Sequence, residues 1–118
     1  MAKGTQQTLA LVVGIVLTLV GVIGFYSGES LLGFGLNAIH NIVHLVTGVL
    51  GLVVGFSETV ANSVFYNKWV GVIYVLVAIL GFIQPDLMAS LLNVNTADNI
   101  LHLVLGIVLA GVGFGIKE

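Results

Sequence analysis

Long apolar runs, broken at wide intervals by short polar clusters, set the pattern of this chain. A helix crossing about 30 Å of hydrocarbon needs about 20 mostly apolar residues. The first such run goes from Thr8 to Tyr26, interrupted only by Thr18 and glycines. The second goes from about Leu36 to Phe56 and carries His40, Asn41 and His44 near its start. The third, Trp69 to Ile83, is short unless Asn67 and Lys68 reach up to the interface, as Lys can. The fourth goes from about Ala97 to Ile116. Period-2 alternation of polar and apolar residues is missing, which argues against a β-barrel. The pattern therefore predicts an all-α, four-helix integral membrane bundle.

The segments between the runs are apolar as well. Residues 28–35 contain Leu31, Leu32 and Phe34, which suits the membrane interface better than a free loop. After Pro85, the spacing of Leu87, Met88, Leu91 and Leu92 predicts a short surface helix, and Glu58 to Tyr66 could form another. Tyr26, Tyr66 and Trp69 fall where an aromatic belt is expected.

Composition sharpens this picture. Hydrophobic residues make up 58% of the 118, charged residues 7%, and the mean hydropathy is +1.20. Soluble domains carry about 25% charged residues, so the surface implied here is one that faces lipid. Three Lys, no Arg and five acids leave a net charge of −2, which excludes the basic surface a nucleic-acid binder needs. Without cysteine there is no disulfide, thiolate metal site or iron–sulfur cluster. With four spans Lys3, Lys68 and Lys117 fall on one side, which the positive-inside rule makes cytoplasmic. The expectation is a multi-pass protein of the cell's inner membrane with both termini in the cytoplasm. No small-residue cleavage site follows the first run, so it reads as a retained helix rather than a signal peptide.

The chain also reads as two tandem hairpins in one transmembrane domain spanning residues 1–118. The segment Asn41-Ile42-Val43-His44-Leu45-Val46-Thr47-Gly48 returns 58 positions later as Asn99-Ile100-Leu101-His102-Leu103-Val104-Leu105-Gly106. Asn37 maps onto Asn95 and His40 onto Asp98. Repeat 1 would cover about 8–56 and repeat 2 about 67–116. A two-span unit returns to its starting side, so the copies would be related by an axis along the membrane normal. The segment Val94-Asn95-Thr96-Ala97-Asp98-Asn99-Ile100-Leu101-His102-Leu103 resembles the signature of an uncharacterised family of small four-span bacterial membrane proteins. Phe65 to Tyr74 is similar to that family's entry into its third span. The resemblance implies the four-span topology; the family has no assigned activity to carry over.

Three readings compete for the polar and small positions. In the first they only pack helices. His44, Gly48, Gly51 and Gly55 share one face of span 2, and Asn99, His102, Gly106 and Gly113 share one face of span 4. Membrane helices associate through close backbone packing and interhelical hydrogen bonds, so Asn41 would pair with His102 and Asn99 with His44. In the second, His44 and His102 are the axial ligands of a b-type haem, with Gly48 and Gly106 making room for the porphyrin. Against it, no Arg is present and the lysines lie on the other side from the propionates. In the third, His40 and His44, at i and i+4, join His102 and the carboxylate of Asp98 around a metal ion such as zinc or copper. Asp98 also has a simpler role at the positive end of span 4, capped by Asn95 or Thr96.

The inner halves of spans 2 and 4 offer only glycine and aliphatics, so a channel is not expected, and no nucleophile arrangement suggests an enzyme. The sequence by itself favours a non-enzymatic accessory protein without a cofactor. Such a protein would self-associate as a homo-oligomer, or join a larger membrane complex, through its glycine-lined faces. The bis-His haem or metal protein is the alternative.

Overall fold

A computed structural model describes residues 3–117. Helix α1 is Thr5–Ser27, followed by a hairpin of β1 (Ser30–Leu31) and β2 (Phe34–Gly35); then come α2 (Ala38–Phe56), α3 (Val60–Ile83), α4 (Pro85–Leu92) and α5 (Thr96–Gly115). Helices α1, α2, α3 and α5 are long and apolar enough to span a membrane. At 1.5 Å per residue, the 19 residues of α2 reach about 28 Å. Their outward faces carry Val, Leu, Ile and Phe, including Val16, Leu50, Ile73 and Ile107. This is a four-helix membrane bundle.

Span 3 begins far earlier than the hydrophobic run implied. The segment Glu58 to Tyr66, expected as a separate surface helix, instead runs from Val60 onward into the first turns of α3. The polar side chains that hid this face inward: Ser63, Tyr66 and Asn67 are all buried. Tyr66 thus faces the bundle interior and not a belt, whereas Tyr26 (87% exposed) and Trp69 (47%) face outward. The surface helix after Pro85 is present as α4; Pro at its first turn suits a position where no amide hydrogen bond is lost.

Two helix pairs make the bundle. Helix α1 packs closely on α2, and α3 on α5, while contacts between the pairs are sparser. The close pairing rests on glycine. A Cβ on Gly14 would lie 2.6 Å from the Leu52 amide nitrogen of α2, and one on Gly106 would lie 2.7 Å from the Val75 amide nitrogen of α3. Gly48, Gly51 and Gly55 likewise meet α1, and Gly113 meets Lys68 of α3. Every glycine of the two predicted stripes is therefore used inside this chain.

The two ends of the bundle differ in character. At the lysine end, Lys3 Nζ donates to the Phe56 carbonyl (3.1 Å) and the Lys68 backbone lies against Gly113. At the hairpin end, Leu32 and Gly33 form the two-residue turn, with φ of 53° and 87°. Positive φ at both central positions is the type I′ requirement, for which Asn-Gly is the low-strain pair.

Candidate functional site

The hairpin end buries three imidazoles against one another. Asn37 caps α2 by accepting from the His40 amide (2.8 Å), which places His40 in the first turn and His44 one turn deeper on the same face. Asn95 caps α5 in the same way, in a capping box with Asp98, and sets His102 about one turn further in. The ring centroids of His40 and His44 are 4.3 Å apart, His40 and His102 5.3 Å, and His44 and His102 6.1 Å. All three side chains are buried, with exposures of 1%, 6% and 4%.

The hydrogen bonding decides what this cluster can do. His40 Nδ1 lies 3.0 Å from the Leu92 carbonyl at the end of α4. A carbonyl only accepts, so Nδ1 carries the proton and Nε2 keeps its lone pair. That Nε2 is buried without a partner, as are His44 Nδ1 and His102 Nδ1. One ring nitrogen from each residue lies within 4.8 Å of the others. Burying a polar atom unsatisfied costs about 1–3 kcal/mol, and this cluster of three rings holds three such atoms. For metal–nitrogen bonds of about 2.0–2.1 Å, a small inward shift would seat one ion among them. Imidazole donors suit zinc, copper, iron and nickel. The backbone carbonyl behind His40 is the kind of outer partner that orients a ligating histidine.

The other predicted residues fall elsewhere. Asp98 is outside the trio: its Oδ2 accepts from the Gly35 and Asn95 amides, both at 2.9 Å. Among the described residues, Asn41 and Asn99 make no hydrogen bond to His102 or His44, contrary to the packing expectation. Their side chains instead lie directly on Gly24 and Gly81, where a Cβ would collide with Oδ1. Gly48 and Gly106 are filled by Thr18 and Val75 respectively, and so do not open a slot beside the histidines.

One participant escaped the sequence reading. The Tyr74 ring of α3 packs edge-on to His102, with centroids 5.5 Å apart, and its hydroxyl pairs with Thr47 Oγ1 at 2.9 Å. Tyr66 donates to the Thr47 carbonyl at 2.7 Å, one step further from the cluster. The signal was there: Tyr74 lies on the Gly71, Ala78, Gly81 face of span 3, the only large residue on a stripe of small ones.

A family profile described as a domain of unknown function (DUF4383) matches residues 7–115. No curated protein and no solved structure matches the chain. Since the match runs from the first turn of α1 to the last residue of α5, this four-span membrane protein belongs to the DUF4383 family.

Proposed function

We propose that this protein binds one transition-metal ion, zinc or copper, through His40, His44 and His102 at the hairpin end of the bundle. The observation that carries the reading is the cluster of three buried imidazoles, with one ring nitrogen of each within 4.8 Å of the others and one nitrogen of each without a hydrogen-bond partner. The geometry favours an ion over a porphyrin. His40 packs against both His44 and His102, in the space that a macrocycle held between those two rings would need. Three neutral donors leave one coordination position for water or another ligand, as in open zinc sites.

The lysines support an orientation for this site. Lys3 and Lys68 hold the end opposite the histidines, so a cytoplasmic lysine end would put the ion near the outer face of the inner membrane. The tandem-repeat reading is supported by the matching pairs, α1 on α2 and α3 on α5, with Asn41 on Gly24 and Asn99 on Gly81. In that reading His40 and Asp98 occupy equivalent positions, which explains why the site has three histidines and not four.

The test is metal content. Protein carrying a tag without histidines is purified, incubated with Zn²⁺ or Cu⁺, desalted, and analysed by elemental mass spectrometry alongside His44→Ala and His102→Ala. One equivalent in the parent and less than a tenth in each variant is the expected result. Equal, substoichiometric metal in all three would refute the proposal, and a Soret band in the visible spectrum would replace the ion with haem.

A further inference from the structure

A cavity of about 370 Å³ opens between α1 and α5 beneath the β-hairpin. That is within the range of small-ligand pockets, about 300–1,000 Å³. Val12, Val16 and Val20 of α1 form one wall, and Leu101 and Leu105 of α5 the other. Val12 and Val16 are half-exposed on the lipid-facing side of α1, so the cavity is reached sideways, from within the bilayer. From Val12 to Val20 it follows α1 for about 12 Å. At its inner wall stand His44, His102 and Asp98. Neither imidazole ring makes a hydrogen bond among the described residues.

We infer that this cavity binds a single-chain amphiphile from the membrane, with an uncharged hydroxyl- or carbonyl-bearing head placed against His44 and His102. The walls suit one slender apolar chain. The polar end selects the head by charge. The chain has no Arg, none of its three Lys lines the cavity, and the nearest ionisable group other than histidine is the carboxylate of Asp98. A phosphate or carboxylate head would therefore be repelled, while an oxygen of a neutral head meets an imidazole nitrogen. With an ion bound, the same oxygen meets the open coordination position. The inference goes beyond metal binding and does not depend on it.

The hairpin supplies a second observation. Leu31, Leu32 and Phe34 line the cavity on the hairpin side, and Leu32 does so from a left-handed backbone conformation that disfavours leucine. Its side chain is 90% exposed. The turn geometry thus sets an apolar side chain at the rim of the cavity, where the tail of a bound amphiphile would meet it.

Photolabelling in liposomes tests this. Diazirine-bearing hexadecanol, hexadecanoic acid and phosphatidylcholine are compared, and labelled peptides are mapped by mass spectrometry. The alcohol should label residues 12–20 and 101–105 saturably. Val16→Trp, which fills the cavity from a lipid-tolerant position, should cut that labelling at least fivefold while leaving metal stoichiometry unchanged. Competition by a prenyl alcohol against a monoacylglycerol separates two natural sources of the same head chemistry. Labelling by the acid or the phospholipid at equal strength, or no effect of Val16→Trp, would overturn the inference. Metal content on the same samples reports separately on the ion, so either reading can fail alone.

Discussion

At the lysine end, Gln6, Ser63 and Asn67 are fully buried, and their donors all reach acceptors. Gln6 Nε2 donates to the Val112 and Ile116 carbonyls (2.8 and 3.0 Å), Asn67 Nδ2 to Gln6 Oε1 and the Gln6 carbonyl (2.8 and 3.0 Å), and Ser63 Oγ to the Val54 carbonyl (3.0 Å). Among these side chains only Asn67 Oδ1 is left over. At the hairpin end a buried trio makes one ring hydrogen bond and leaves three nitrogens without a partner. Both clusters join helices that the glycine pairs do not. The first does so with amides and a hydroxyl that donate to backbone carbonyls near helix ends, a means of holding α1, α3 and α5 together. The second is unfinished as packing, and an ion would complete it.

The widest separation between the ends should appear in metal affinity. His44→Ala or His102→Ala is expected to weaken zinc binding at least 100-fold, about 2.7 kcal/mol, by competition with a chelating indicator. Asn67→Leu should leave it within a factor of two. Equal losses from both would erase the distinction. Stability should then move the other way. Asn67→Leu strands buried groups of Gln6 and should cost about 1–3 kcal/mol in detergent unfolding. His102→Leu in metal-free protein should cost less than about 1 kcal/mol, because it removes an unsatisfied nitrogen and keeps most of the volume.

Acid sharpens the contrast further. A protonated imidazole has no lone pair to offer, so metal should be released as pH falls, whereas Gln6, Ser63 and Asn67 have nothing to titrate. Zinc retention followed by equilibrium dialysis from neutral to acid pH checks this. Asp98→Ala lies between the two kinds of behaviour. It removes an acceptor from the Gly35 and Asn95 amides and should cost about 1 kcal/mol, with zinc affinity changed less than tenfold. The smallest effect is expected for Leu32→Asn, which creates the Asn-Gly pair preferred by a type I′ turn and should stabilise the apoprotein by less than about 1 kcal/mol.

Much of this architecture could be read from residue order. Four apolar runs became four helices, and of the two cap candidates for span 4, Asn95 is the cap, with its repeat counterpart Asn37 capping α2. The histidines share a helical face with glycines, and that alone suggested they meet. The start of α3 was hidden because a window that counts hydrophobicity cannot tell an inward-facing Asn67 from a solvated one. Gln6 was hidden for the same reason, since its partners are 61 and 106 or more positions away. The pairing of Asn41 and Asn99 with histidines failed on geometry: each Asn faces the glycine of its own close helix partner.

The uneven closeness of the helices has a mechanical consequence. Backbones locked together at Gly14 and Gly106 make α1–α2 one stiff plate and α3–α5 another. Any give in the molecule is then confined to the seam between them. His40 and His44 sit on one plate and His102 on the other, and the apolar cavity lies along the same seam, between α1 and α5. An ion among the three rings would act as a rivet. Whatever tightens or loosens it would change the width of the opening that faces the lipid.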